Sequence, residues 1–142
     1  MTIIYTDSLD HITAQQLGGG FFVGWLNLPT PDVHLKLLQG SYKIWLAQDV
    51  EKNNQIIGFI TAISDGVLTA FIPLLEILPD YQAQGIGSEL MRRMLNSLDY
   101  LYSVDLLCDA PLQAYYERFG MQRADAMAHR NYDNQNGIGT HD

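Results

Sequence analysis

Hydrophobic and polar positions follow three different rhythms along the chain. Residues 2–6 alternate weakly, as a first strand would. Asp10 to Leu17 reads as a short helix stopped by Gly18-Gly19-Gly20, and the aromatic stretch Phe21 to Leu26 reads as a buried loop or helix turn. Pro29 and Pro31 bracket the start of a second helix, Asp32 to Leu38, ended at Gly40. The period then falls to two. Tyr42 to Gln48, Gln55 to Ile63 and Leu68 to Leu78 are predicted strands, and the Asp65-Gly66 pair between the last two is a tight-hairpin signal. Pro73 lies inside the third of these; it has no N–H to give to a ladder, so it demands a bulge, an edge or a break in pairing.

From Ala83 to Leu98 the apolar positions return to helical spacing, at Ile86, Leu90, Met94 and at Met91, Leu95, Leu98. A strand over Tyr102 to Cys108 and a helix over Pro111 to Phe119 follow. Short strands are expected around Met121–Arg123 and Ala126–Asn131. The pattern predicts one mixed α+β domain with a central sheet over residues 1–133, and a flexible polar tail over 134–142. No repeat or low-complexity tract interrupts it.

Composition narrows the class. With 142 residues, 47% of them hydrophobic, the chain suits a single domain with a real core. No apolar run reaches the length of a membrane span, and the first residues lack the basic region of a secretory signal, so a cytoplasmic protein is expected. One cysteine, Cys108, excludes an internal disulfide framework, and His11, His129 and His141 have no metal-ligand spacing, so no metal is expected. The net charge of -8 argues against a nucleic-acid partner and suits a cationic substrate better. Nothing suggests a membrane partner, and a homodimer is compatible with the sequence.

The chemistry concentrates in Gln82-Ala83-Gln84-Gly85-Ile86-Gly87-Ser88, between an apolar strand and an amphipathic helix. Glycines there let backbone approach a ligand, and the unpaired N–H groups and dipole of a helix N-terminus attract phosphate. A bare G-x-G is equally a packing turn. The Lys-Ser/Thr of a Walker loop and the third glycine of a dinucleotide fingerprint are both missing. Glu76 is a carboxylate on a strand whose neighbours on the same face are Ile72, Leu74 and Leu78. Burial should raise its pKa, as suits a base; the other reading is a buried ion pair with Arg130 or Arg92.

Strand, proline, then Gln82-x-x-Gly85-x-Gly87 opening a helix resembles the coenzyme A pyrophosphate loop of the GNAT acetyltransferase superfamily. A second family signature has its counterpart in Tyr116-Glu117-Arg118-Phe119-Gly120-Met121. The resemblance covers roughly residues 55–121, and Ala83, Met121 and Asp109-Ala110-Pro111 depart from the pattern. It implies a mostly antiparallel sheet with a splayed strand pair and about four helices. It also implies acetyl-CoA as co-substrate, bound at residues 82–88, with backbone near Ile77 and Leu78 holding the pantetheine arm. Tyr116 stands where the family has a general acid; core packing is its other reading, and Tyr115 is the weaker candidate. Arg92 and Arg93 could reach the adenosine phosphates or simply face solvent.

The family's specificity region makes Phe21, Phe22 and Trp25 candidates for the substrate wall. His34 is a pocket residue or a surface histidine. The expected activity is acetyl transfer to a primary amine, a small molecule or a peptide, by direct attack in a ternary complex. The rival is a CoA-binding module without catalysis. Arg130-Asn131-Tyr132-Asp133 has no assigned role.

Overall fold

Strand β3 (Gln55–Ser64) lies at the middle of the molecule, and residues 56–62 are all buried. A run apolar on both faces needs cover on both, which helices and loops supply here. The computed structural model describes residues 1–139; the end of the expected tail, with His141, lies outside the described residues. The sheet order is β1 (Ile3–Thr6), β2 (Lys43–Asp49), β3, β4 (Thr69–Ile77) and β5 (Ser103–Leu106). The first three pairings are antiparallel and β4 with β5 is parallel. The α-helices are α1 (Pro31–Gly40), α2 (Ile86–Ser97) and α3 (Gln113–Glu117).

About four helices were expected, and three α-helices are present among the described residues. The difference lies at Asp10–Leu17, where only Ala14–Leu17 winds, as a 3-10 turn. Thr13 and Gln16 form a capping box at its start and three glycines follow, so too few residues remain to close an α-helical turn. The last helix is also shorter than the sequence suggests: a 3-10 turn, Ala110–Leu112, leads into α3.

Thr30 caps α1 by accepting the Val33 N–H at 3.3 Å, with Pro31 in the first turn. Between β3 and β4, Asp65 Oδ1 accepts the N–H groups of Val67 and Leu68, each at 2.8 Å, and this holds the hairpin. Helix α2 buries Ile86, Leu90, Met91 and Met94 against one face of the sheet. The loop from Gly18 to Thr30 and α1 cover the other, with Leu17, Phe21, Phe22 and Leu38 buried.

The expected strands at 121–123 and 126–131 are absent. Residues 122–134 are exposed throughout, so no alternating buried face holds them in a sheet. The chain then returns to the α1 side. Gln135 Oε1 accepts the Asn27 N–H at 3.2 Å, and Gly137 lies against Val33.

Candidate active site

The ladder between β4 and β5 runs from Thr69 opposite Ser103 to Ile72 opposite Leu106 and goes no further. The next residue on β4 is Pro73. From there to Ile77 the strand keeps β3 on one side and has no β5 partner on the other. Proline's missing N–H thus falls where the two strands part, and the parting opens a gap beside the C-terminal half of β4.

Backbone direction alternates along that half. The Leu78 N–H donates to the Ile57 carbonyl at 2.8 Å, so Leu78 and Glu76 face β3, and Ile77 presents its N–H to the open side. Of the two residues expected to hold a pantetheine arm, Ile77 therefore has its amide facing the gap and Leu78 has its amide engaged. Gln82 Nε2 donates to the Ile77 carbonyl at 3.0 Å and ties the following loop back to the strand.

That loop carries two unusual backbone conformations. Ala83 sits at φ 60°, and Gly85, the N-cap of α2, sits at φ 84°. Gly85 suits this conformation, and a Cβ placed on it would meet no protein atom within 4 Å. The space in front of the helix end is therefore open. The first-turn amides of α2, Ile86 to Ser88, point toward it, since the first intrahelical bond is from Glu89 N–H to the Gly85 carbonyl. An open cradle of amides at a helix N-terminus fits a pyrophosphate.

Tyr115, not Tyr116, reaches this loop: its hydroxyl lies 3.2 Å from Ser88 Oγ. Sequence pattern gave Tyr115 little weight, and only the three-dimensional meeting of α3 with α2 reveals the contact. Tyr116 is half-buried on the next face of α3, near Cys108, and burial, with Tyr115 and Cys108 nearby, pushes its pKa up to about 12. It borders a cavity of about 870 Å³ together with Phe71, Leu106 and Cys108. Its phenol stays protonated at neutral pH and so has a proton to donate in a hydrogen bond.

Glu76 pairs across the sheet with Phe59, on the face covered by α1 and the Gly18–Thr30 loop. Neither expected role as an ion-pair partner is seen. Arg92 binds Glu89 at 2.8 Å, and among the described residues no arginine lies within ion-pair distance of Glu76. Its Oε1 instead accepts the Phe22 N–H at 2.5 Å and the Val23 N–H at 3.4 Å. Burial raises its pKa, and those two N–H groups oppose the shift. A half-buried carboxylate with one oxygen anchored and a raised pKa can accept a proton through the other.

The anchor has a clear use. Phe22 is at φ 64°, a strained conformation for a bulky residue. Its ring packs on Trp25, His34 and Phe59, with the His34 centroid 5.0 Å away. His34 is not at the surface. It is 1% exposed under Phe21 and Phe22, its Nε2 has no hydrogen-bond partner, and burial pushes its pKa down to about 4. Phe22 and His34 thus form the floor of the loop. The large apolar side chains it shows to solvent are Val23, Leu26 and Leu28, which the sequence did not single out.

Arg93 reaches back one turn to bind Glu89 and lies over Tyr5 and Trp45 at 4.7 and 5.0 Å, so its guanidinium is already engaged. No described helix is long and apolar enough to cross a membrane.

An open helix N-terminus thus stands beside a parted strand pair. Residues 12–121 match the model of the acetyltransferase (GNAT) family, and the chain belongs to that family. It is similar to the uncharacterized N-acetyltransferase ycf52 of Pyropia yezoensis, 28% identical over 100 residues, which span 69% of this chain and 58% of that one. A ycf52-like protein of Prochlorococcus marinus is 33% identical over 115 residues, 80% of this chain and 63% of the relative. The chain thus spans about three fifths of the length of these curated relatives.

Among solved structures, a candidate acetyltransferase from Deinococcus radiodurans R1 superposes with a TM-score of 0.91 at 47% identity, covering 97% of this chain and 94% of that one. A GNAT family protein from Streptococcus pneumoniae TIGR4 gives a TM-score of 0.70 at 27% identity, with 92% and 97% covered.

Proposed function

We propose that this protein is an N-acetyltransferase that moves an acetyl group from acetyl-CoA to a primary amine by direct attack. GNAT family members use acetyl-CoA. The observation that carries the reading for this chain is the end of the β4–β5 ladder at Ile72, which leaves an open strand edge leading to the α2 N-terminus.

In this reading the amides of Ile86, Gly87 and Ser88 hold the pyrophosphate. The Ile77 N–H takes the thioester carbonyl and steadies the negative charge that grows on its oxygen during attack. Glu76 receives the proton that the amine must shed, through the carboxylate oxygen not engaged by the loop. The amine nitrogen bonds to the acetyl carbon, the carbon–sulfur bond breaks, and Tyr116 donates a hydrogen bond or proton to the departing sulfur. A phenol with a pKa of about 12 keeps its proton and serves the departing thiolate as a hydrogen-bond donor.

Two-substrate initial rates test the mechanism. Intersecting double-reciprocal lines, with no acetylated protein detected by mass spectrometry, agree with a ternary complex. Parallel lines with an acetyl group left on the protein contradict it. Tight CoA binding with no turnover on any amine would make the chain a CoA-binding module instead.

A further inference from the structure

The loop that Glu76 fastens is lopsided in its chemistry. Residues 18–31 contain no ionisable side chain, and residues 134–139, which return to the same side, contain none either. The loop's exposed large apolar side chains are Val23 at 67%, Leu26 at 95% and Leu28 at 51%, and Thr30 at its end is the one exposed polar side chain. These apolar groups lie within one short segment that is held from two sides. Glu76 binds the amides of Phe22 and Val23, and Gln135 binds the amide of Asn27. Trp25 is packed against Phe22 at 4.9 Å between them. Exposed apolar side chains on a pinned loop keep their positions without a core to bury them.

We propose that the acceptor is a primary amine carried on an apolar, ring-sized body, with its nitrogen at Glu76 and its body on the Val23–Leu28 rim. This deepens the transferase reading and rests on it. The occupant follows from charge and polarity. Glu76 is a half-buried carboxylate whose described partners are two backbone N–H groups, so a cation is its natural complement. A single carboxylate matches one ammonium and leaves the further ammoniums of a polyamine on an apolar rim. An amino sugar phosphate or an acidic amino acid would bring an anion to a loop with no cation. A flat apolar body instead removes Val23, Leu26 and Leu28 from water as it binds.

The test compares kcat/KM for 2-phenylethylamine, spermidine, glucosamine 6-phosphate and glutamate, read by release of CoA thiol. The expected result is at least about a tenfold preference for 2-phenylethylamine, the scale on which apolar pockets discriminate. Leu26→Gln is the paired variant, since Leu26 is almost fully exposed and its change does not threaten the fold. It should raise KM for 2-phenylethylamine severalfold while CoA affinity by calorimetry is unmoved. Turnover that favours spermidine, the sugar phosphate or glutamate overturns this inference alone, as does an unchanged KM in Leu26→Gln. Bound CoA with no turnover on any of the amines overturns the transferase reading as well.

Discussion

The amide of Phe22 donates to Oε1 of Glu76 at 2.5 Å, joining two residues 54 positions apart. The bond makes the carboxylate on β4 a fastener for the Gly18–Thr30 loop. It also leaves the second carboxylate oxygen for chemistry, so anchoring and proton acceptance must be separated by experiment.

Glu76→Gln and Glu76→Ala separate them. Glutamine keeps an oxygen to accept from Phe22, so that variant should fold with nearly wild-type melting temperature. It should lose about a hundredfold or more in kcat, and its pH–rate profile should lose the acidic limb. Alanine strands the Phe22 N–H beneath the loop, and leaving a buried donor unpaired costs about 1–3 kcal/mol. Glu76→Ala should therefore be both slow and less stable. A Glu76→Gln protein with full activity would leave the residue as an anchor only.

The two neighbouring tyrosines should respond differently to loss of their hydroxyls. Tyr116→Phe should lower kcat by about a hundredfold with little change in CoA affinity. Tyr115→Phe removes the contact with Ser88 at the pyrophosphate loop, so it should weaken CoA binding more than turnover. Stopped-flow turnover and calorimetry on both variants check the assignment, and the reverse pattern would exchange the two roles.

Gly85→Val tests the cradle. The new side chain meets no protein atom, yet it sits at φ 84° and projects into the space before the α2 amides. The strain costs about 1–2 kcal/mol of stability, a tolerable loss, because a left-handed conformation disfavours residues with a Cβ. CoA affinity should fall at least about tenfold in the folded variant, an expectation from phosphate binding at helix N-termini. Unchanged affinity would move the pyrophosphate elsewhere.

His34 sets a pH dependence of stability. Its pKa is pushed from 6.5 down to about 4 in the folded protein, by burial. Between those values the unfolded chain binds a proton that the folded one does not, so stability falls as pH falls from 6.5 toward 4. Between about pH 7.5 and about pH 5 the loss should be about 2 kcal/mol, from 1.36 kcal/mol per pKa unit. Glu76, with a raised pKa, acts in the opposite sense, because its protonation favours the folded state. Urea titrations of wild type and His34→Leu at the two pH values isolate the histidine: the stability of wild type relative to the variant should fall by about 2 kcal/mol at the lower pH. An equal difference at both would mean that the ring is solvated.

Long elements with a strong period were legible in the sequence. β3 and β4 end within a residue of the predicted limits, and Pro73 marks the end of the β4–β5 ladder because proline has one backbone consequence wherever it falls. The Gln82-x-x-Gly85-x-Gly87 turn was legible for the same reason. Contacts between distant segments were not. Glu76 meets backbone N–H groups, which every residue carries, so no side-chain pattern could single out Phe22 and Val23. The left-handed Phe22 carries no glycine or asparagine to betray it. Residues 122–131 lie outside the sheet and exposed, with no neighbouring strand to pair with.

The most direct test follows the acetyl group itself. The protein is incubated with acetyl-CoA labelled in its acetyl carbons and a primary amine, and the products are separated by mass spectrometry. The account predicts that label appears on the amine nitrogen in amounts equal to the free CoA thiol released, and only when protein and amine are both present. Label that stays on the thioester, with CoA bound at the α2 N-terminus and every amine unmodified, would contradict it.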